Sequence, residues 1–337
     1  MNNDIIIGDT TIRPGETKDI NLFVAKLFDF TEISIPVKVI RGKEDGPRLF
    51  VCAAVHGDEV NGVEIIKRLI SHRALKKLKG TLIAVPIVNV FGFNSLTRYL
   101  PDRRDLNRCF PGSKNGSLAA RLAHLFVTEI LENSTHGIDI HTGSCHRTNL
   151  PQVRACLNDK VTNRLAHEFG VPVVINATII EGSLRKVAAS KNLPFLVFEG
   201  GEALRYDEDV IRCGISGILS VMGALGMISA LKKEKKAESL TANGRFWVRA
   251  EHSGILIIKK ALGKIIQQGD LLGVISDPLG NKNIEIRASK KGLIIGRTQL
   301  PLVNRGDAIF HVATFERERI ADIGTEDFDD QFDYEER

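Results

Sequence analysis

Two patterns of apolar residues dominate the first 230 positions of the chain: continuous runs and helical spacing. Residues 48–55 and 81–88 are continuous apolar runs, which are typical of strands buried on both faces of a sheet. Residues 62–70 and 118–133 instead carry apolar side chains at helical spacing, and Ser117 is a suitable N-cap for the second of these helices. Alternation of this kind predicts an α/β domain with a mostly parallel central sheet flanked by helices.

The boundaries of this domain follow from changes in the pattern. Residues 1–40 alternate apolar and polar positions around turn signals such as RPGE, which predicts an N-terminal segment of short antiparallel strands. The last helical pattern runs from about residue 207 to residue 231, and the charged stretch KKEKK that follows is typical of a solvated linker. We therefore expect the α/β domain to occupy residues 41–238.

The C-terminal third has a different pattern. Residues 239–315 contain two similar halves, each with a glycine, an apolar strand, a Gly-Asp turn and a second apolar strand. Such a repeat resembles the barrel-sandwich domains related to lipoyl and biotinyl carriers, so a small β-domain is expected here. Lys282 lacks the flanking pattern of a modified carrier lysine, which favours a structural or lid-forming role. Residues 316–337 hold ten acidic residues against three arginines and are expected to form a mobile acidic tail.

Composition narrows the functional classes. The chain is 43% hydrophobic and 26% charged, which is the balance of a soluble globular protein. No apolar run approaches the ~20 residues that span a bilayer, and the N-terminus has no signal-peptide pattern. Five scattered cysteines without a CxxC pair suit a reducing compartment, so we expect a cytoplasmic protein that binds no membrane.

The charge distribution indicates the kind of partner. Because the acidic tail holds so many of the carboxylates, the rest of the chain is strongly basic, which suits an anionic ligand. Aromatic residues are only 6% of the chain, which argues against nucleic acid as that ligand. We expect a small anionic molecule, and a homo-oligomer stays open.

Two histidines follow predicted buried strands. His56 and Glu59 lie in the stretch VHGDE directly after the first strand, where Gly57 permits a tight turn. His141 ends the strand IDIH. Imidazole and carboxylate groups are ordinary zinc ligands, and neighbouring parallel strands end at the same edge of a sheet. HxxE is common by chance and also fits a capped helix start, but the second histidine favours a zinc site.

Two further stretches carry polar groups suited to catalysis. The loop RRDLNRCFPG combines Asp105, Asn107 and Arg108, and the last two offer the amide and guanidinium donors that bind a carboxylate. Glu199 ends the last buried strand and precedes two glycines, a position from which it could act as a general base.

In this order, the motifs HGDE, DLNRCFPG, DIHTG and FEGGE resemble the succinylglutamate desuccinylase/aspartoacylase family of the zinc carboxypeptidase superfamily. The resemblance spans roughly residues 40–230 and implies a zinc-carboxypeptidase-like fold that binds one Zn²⁺ per chain. By position, His56, Glu59 and His141 match the zinc ligands of the family. Asp105 matches the carboxylate that orients the first histidine.

The same resemblance implies the remaining roles. Glu199 matches the residue that activates water, Arg98 the arginine that polarises the scissile carbonyl, and Asn107 with Arg108 the pair that holds the substrate carboxylate. The implied activity is zinc-dependent hydrolysis of an amide next to a carboxylate, as in an N-acyl amino acid deacylase. A zinc carboxypeptidase that removes a C-terminal residue, acidic residues included, is the alternative. A module that only binds an anion is disfavoured because the catalytic set is complete.

Some positions depart from the family pattern. The sequence TGSCHR after the second histidine differs from that of both namesake activities, so the acyl group and the amino acid stay open. Neither Tyr99 nor Tyr206 is assigned as the tyrosine that closes over substrate in some members. His146 and Arg147 are candidates for lining the pocket. His311, in the β-domain, is expected to lie at the surface or to be hydrogen-bonded within its domain.

Overall fold

A mixed sheet of 13 strands organises the computed structural model, which describes residues 4–230 and 239–315. The N-terminal strands are β1 (Ile5–Ile7), β2 (Thr10–Ile12), β3 (Thr17–Lys26) and β4 (Glu32–Arg41). The α/β region contains β5 (Arg48–Ala53), α1 (Asn61–Ile70), β6 (Thr81–Val85), α2 (Val90–Asn94), α3 (Leu118–Phe126), β7 (His136–Gly143), β8 (Arg147–Ala155), α4 (Lys160–Glu168), β9 (Val173–Asn176), α5 (Leu184–Ser190), β10 (Phe195–Glu202) and α6 (Glu208–Ala224). The C-terminal region adds β11 (Leu240–Ala242), β12 (Gly244–Arg249), β13 (Gly254–Ile258), β14 (Ile265–Ile266), β15 (Leu271–Ser276), β16 (Asn283–Arg287), β17 (Gly292–Thr298), β18 (Leu302–Val303) and β19 (Ala308–Thr314).

The centre of the large sheet is parallel. Its main path runs β12-β19-β17-β8-β10-β7-β5-β6-β4-β3, and β10, β7, β5 and β6 are parallel to one another. Every residue of β6 is buried, as the continuous apolar pattern predicts for a strand covered on both faces. The antiparallel pairing of β4 with β6 joins β3 and β4 to the same sheet, whereas β1 and β2 form a separate two-stranded sheet. The expected α/β class is confirmed.

Helices cover both faces of this parallel centre. Ile65 of α1 and Ile218 of α6 belong to the core on one face, whereas Leu122 of α3 and Leu184 of α5 belong to the core on the other. Ser117 caps α3 as predicted, because its Oγ accepts a hydrogen bond from the Ala120 N–H at 3.3 Å. In the part of the chain that the structure describes, no helix is both long and apolar enough to cross a membrane.

The last helix is shorter than its pattern predicts. We expected it to continue to about residue 231, but α6 ends at Ala224. Gly226 adopts a φ of 71°, the left-handed conformation that ends a helix and that glycine adopts without strain. The charged stretch at residues 232–236 and the acidic tail at residues 316–337 lie outside the described residues.

The C-terminal region forms two β layers. A separate antiparallel sheet, in the order β16-β15-β13-β18, shares one apolar core with β17 and β19. Two packed β layers agree with the resemblance of residues 239–315 to barrel-sandwich domains. The second layer belongs to the 13-stranded sheet, because β17 pairs antiparallel with β8 and places Gly296 opposite Asn149. The surface of the central sheet therefore continues from the α/β strands onto β17, β19 and β12.

Gly217 provides a test of the helix layer. A Cβ at this position of α6 would lie 2.0 Å from the ring of Phe169, which is buried and stacked on Phe198 with 5.1 Å between centroids. We expect Gly217→Ala to lower the free energy of unfolding by about 1–3 kcal/mol, because overpacking outweighs the gain in helix propensity. Urea denaturation measures this change. The control Ser220→Ala, on the same helix, should change stability little, and an unchanged midpoint for Gly217→Ala would contradict the packing described.

Candidate active site

Three neighbouring parallel strands bring the predicted polar residues to one edge of the sheet. His56 follows β5, His141 lies near the end of β7, and Glu199 on β10 is directly opposite His141 in the strand register. The turn after β5 requires Gly57, because a Cβ there would lie 2.0 Å from the backbone of Gly92. The carboxyl edge of the sheet is thus where the candidate groups meet.

Two imidazoles converge on one carboxylate. His56 Nδ1 lies 2.7 Å from Glu59 Oε1, and His141 Nδ1 lies 2.8 Å from Glu59 Oε2. One donor atom from each of the three residues lies within 4.8 Å of the others, and all three side chains are buried. The Thr142 N–H also donates to Glu59 Oε2, at 3.1 Å. The structure therefore brings the three predicted metal ligands together.

The outer nitrogen of each imidazole is held by a second carboxylate. His56 Nε2 lies 3.2 Å from Asp105 Oδ1, the contact expected for Asp105. His141 Nε2 lies 2.7 Å from Asp139 Oδ2, and Asp139 was not predicted as a site residue. Its sequence signal is the spacing Asp-x-His within a strand, which places both side chains on the same face. Carboxylates in this position orient metal-binding histidines.

The electrostatics of this cluster favour positive charge. Burial raises the pKa of the Glu59 carboxyl, but the charges of His56 and His141 outweigh burial and hold that pKa far below its ordinary value. For His141, burial lowers the pKa, and the stronger effect of Asp139 and Glu59 leaves it well above the ordinary range. Nitrogen and oxygen donors that converge in a field favouring cations fit a divalent metal ion.

Arg98 lies against the same cluster. Its Nη2 donates to Asp105 Oδ2 at 2.9 Å, and its Nη1 donates to Glu59 Oε1 at 3.4 Å. Asn107 fixes the loop that carries Asp105, since its Oδ1 accepts a hydrogen bond from the Leu184 N–H at the start of α5 at 3.0 Å. The structure thus places the predicted carbonyl-polarising residue beside the metal donors.

Arg108 and Glu199 lie on the wall of the same cavity. The Arg108 side chain is exposed, and its Nη1 donates to the backbone oxygen of Asn107 at 2.6 Å. Glu199 Oε2 accepts a hydrogen bond from Asn149 Nδ2 at 2.9 Å and forms an ion pair with Arg154 Nη2, also at 2.9 Å. Glu199 is not part of the converging three-residue group, which agrees with a role other than metal binding.

Two arginines of the cavity were not predicted. Arg154 is on β8, the strand that pairs with β10, and Arg185 is in the first turn of α5. Burial and the charge of Arg154 lower the pKa of Arg185, whose Nη1 has no hydrogen-bond partner among residues 4–230 and 239–315. The sequence around each arginine does not indicate a site residue, because only the pairing of β8 with β10 and the position of α5 bring them to the cavity.

A single cavity of about 180 Å³ contains these groups. Its lining consists of His56, Glu59, Arg98, Asn107, Arg108, Asp139, His141, Thr142, Arg154, Ile180, Ser183, Arg185, Val197 and Glu199. His146 and Arg147, two candidates from the sequence, do not line it, and neither does Tyr99 or Tyr206, whose side chains are exposed. Four arginines in so small a space indicate an anionic ligand.

Comparisons with known proteins agree with this site. Residues 45–225, more than half of the chain, match the family model of the succinylglutamate desuccinylase/aspartoacylase catalytic domain. The N-alpha-acetyl-L-2,4-diaminobutyric acid deacetylase of Halomonas elongata is 26% identical over 294 residues, which cover 83% of this chain and 86% of that protein.

Two solved structures show the same fold. The product-bound ectoine utilization protein EutE (DoeB) of Ruegeria pomeroyi has a TM-score of 0.82 at 24% identity, with 93% of this chain and 99% of that chain covered. A succinylglutamate desuccinylase/aspartoacylase of Rhodobacter sphaeroides has a TM-score of 0.80 at 24% identity, with 90% and 97% covered. Together with the family match, these likenesses show that the chain belongs to the succinylglutamate desuccinylase/aspartoacylase family.

Proposed function

We propose that the chain is a zinc-dependent hydrolase that cleaves an amide bond next to a carboxylate in a small N-acyl amino acid. One observation carries this proposal: a single cavity joins three converging metal-type donors to a separate carboxylate and to four arginines. The family match supports an N-acyl amino acid deacylase.

His56, Glu59 and His141 would hold the zinc ion. Bound there, zinc would supply Lewis acidity that polarises the scissile carbonyl and makes water easier to deprotonate. Asp105 and Asp139 would keep both imidazoles oriented through their outer nitrogens, at 3.2 and 2.7 Å. The residues of the chain therefore preorganise the site before any ligand arrives.

Glu199 would act as the general base. Asn149 and Arg154 both engage its Oε2, which leaves Oε1 to accept a proton from water and pass it to the leaving amine. Arg98 would stabilise the negative charge that develops on the carbonyl oxygen. Because Arg98 is already held by Asp105 at 2.9 Å, its guanidinium needs little reorganisation during the reaction.

The arginines suggest the class of substrate. Asn107 and Arg108 would hold the carboxylate next to the scissile amide, since planar donors of this kind match a carboxylate. Near Glu199, Arg154 and Arg185 leave an excess of positive charge. This charge disfavours an ammonium side chain, such as that of the diaminobutyric acid derivative in the name of the Halomonas protein. We therefore expect an acidic or neutral substrate.

A carboxypeptidase could use the same clamp for the C-terminal carboxylate of a peptide. The test is release of free amine by zinc-loaded protein from N-acetyl and N-succinyl amino acids with acidic, neutral or basic side chains, beside short peptides ending in the same residues. We expect turnover of the acyl amino acids with acidic or neutral side chains. Release of C-terminal residues from peptides, with every acyl amino acid left intact, would show the carboxypeptidase instead.

The ligand set predicts the zinc content of three variants. Purified protein should hold about one zinc per chain, and His56→Ala, Glu59→Ala or His141→Ala should remove most of it, because two donors rarely hold zinc tightly. Elemental analysis after dialysis measures this content. His124→Ala, which changes a histidine on α3, is the control and should keep its zinc. Full occupancy in the first three variants would show that the ligand assignment is wrong.

Glu199→Gln separates metal binding from proton transfer. Glutamine keeps the size of the side chain but cannot accept a proton at neutral pH, so turnover should fall by about 10²–10⁴ while zinc content and KM persist. The control Glu181→Gln alters a highly exposed carboxylate and should leave turnover unchanged. Loss of zinc in Glu199→Gln would make Glu199 a ligand, and near-normal turnover would direct attention to Glu202.

Arg108→Lys tests the carboxylate clamp. Lysine keeps the charge but cannot form the planar two-point contact, so kcat/KM on the best substrate of that panel should fall by roughly tenfold or more. Steady-state kinetics measure this, with Arg104→Lys as the control because Arg104 is exposed and pairs with Asp102. A value for Arg108→Lys close to that of the control would mean that another residue holds the carboxylate.

A further inference from the structure

A second cavity lies where the α/β strands meet the β-domain. It measures about 170 Å³ and shares Thr142, Arg154 and Glu199 with the active-site cavity. The β-domain contributes Trp247 from β12, Arg297 from β17 and His311 from β19 to its wall. The continuous sheet makes this possible, because β17 and β19 extend the surface that carries Glu199.

His311 is a buried polar side chain that the fold does not satisfy. It is only 2% exposed, and neither ring nitrogen has a hydrogen-bond partner within the described ranges 4–230 and 239–315. Our expectation of a surface or hydrogen-bonded histidine is therefore wrong. The ring stacks on Trp247 with 4.1 Å between centroids, but an apolar ring would stack there without leaving two nitrogens unpaired. His311 lines the cavity, and its two unpaired nitrogens indicate a ligand.

The charge of the cavity indicates which ligand. Arg147, Arg154 and Arg297 line it, and among its described lining residues Glu199 is the one carboxylate. Two guanidinium nitrogens, Arg154 Nε and Arg297 Nε, are also buried without a partner in the described part of the chain. Unpaired planar donors and excess positive charge match a carboxylate.

The protonation state of His311 is compatible with a carboxylate ligand. Burial and the charges of Arg154, Arg245 and Arg147 lower the pKa of His311 to about 3, so the imidazole is neutral at physiological pH and has one N–H to donate.

Gly296 leaves space free between Asn149 and His311, two residues of the cavity wall. It lies between Asn149 and His311 in the strand register, and a Cβ there would be 2.7 Å from Asn149 Oδ1 and 3.4 Å from His311 Cβ. Asn149 in turn donates to Glu199 Oε2 at 2.9 Å. The space opened by this glycine is therefore one residue away from the carboxylate assigned to catalysis.

We propose that this cavity is a second carboxylate-binding subsite, in which His311 and Arg297 of the β-domain act with Arg147 to hold an acidic group. The group belongs to the substrate, beyond Glu199. That last assignment rests on the function proposed above, whereas carboxylate binding itself does not.

The chain offers a local reporter, because Trp247 is its only tryptophan. We would titrate the full-length protein with succinate at constant ionic strength and follow Trp247 fluorescence, expecting a saturable change. His311→Phe keeps the aromatic stack but removes both nitrogens, and Arg297→Gln removes one guanidinium. Each should weaken succinate binding by about tenfold or more, since each removes a hydrogen bond to a charged group.

The matched control is Arg287→Gln. Arg287 is a β-domain arginine paired with Glu285 outside the cavity, so its variant should bind succinate within about twofold of the unmodified protein. The absence of a saturable change in the unmodified protein would overturn the proposal. Equal succinate affinity in His311→Phe, Arg297→Gln and the control would also overturn it, and Arg297→Gln keeps the test decisive if His311→Phe does not fold.

Kinetics then assign the source of the carboxylate. N-acetylglutamate and N-acetylglutamine differ only at the end of the side chain, which is a carboxylate in the first and an amide in the second. Both cavity variants should therefore raise KM for N-acetylglutamate and leave KM for N-acetylglutamine unchanged. Equal KM changes for the two compounds would overturn the assignment to the substrate. If the protein hydrolyses no acyl amino acid, the proposed function fails, whereas the fluorescence titration still decides whether the subsite exists.

Discussion

A buried carboxylate between two imidazoles is the interaction on which the site depends. Glu59 is 2% exposed, and a charge so deeply buried is costly unless it is paired. Its partners, His56 and His141, come from the ends of different strands, and their outer nitrogens need Asp105 and Asp139. The cluster therefore ties the turn after β5, the end of β7 and the loop before α3 into one arrangement. Removing one member would leave the others with unpaired buried charge.

Strand order determines what surrounds this cluster. The parallel pairing of β7 with β10 places Glu199 opposite His141, and the antiparallel pairing of β10 with β8 brings Arg154 and Asn149 to Glu199. Since β8 also pairs with β17, the β-domain meets the same surface. The α/β strands would thus supply the reacting groups, and the β-domain would supply part of the wall that selects the substrate.

Much of this site could be predicted because its motifs are local. His56 and Glu59 are three residues apart after a recognisable strand, and His141 lies near the end of another. Their meeting at one edge of the sheet could therefore be expected from their sequence positions. Arg154 and Arg185 could not be predicted, because their place depends on which strands pair across the sheet. The pairing of β17 with β8 is likewise a long-range contact without a local signal. The burial of His311 could not be predicted either, because it depends on the layers that pack around β19.

Zinc K-edge X-ray absorption of the zinc-loaded protein is the most direct test of the three proposed ligands. We expect a coordination shell of nitrogen and oxygen atoms at about 2.0–2.2 Å, with the multiple-scattering signature of two imidazoles and no sulfur. The spectrum of Glu199→Gln should be the same, because that residue lies outside the donor group. A sulfur shell, a single imidazole or a changed first shell in Glu199→Gln would contradict the assignment of His56, Glu59 and His141.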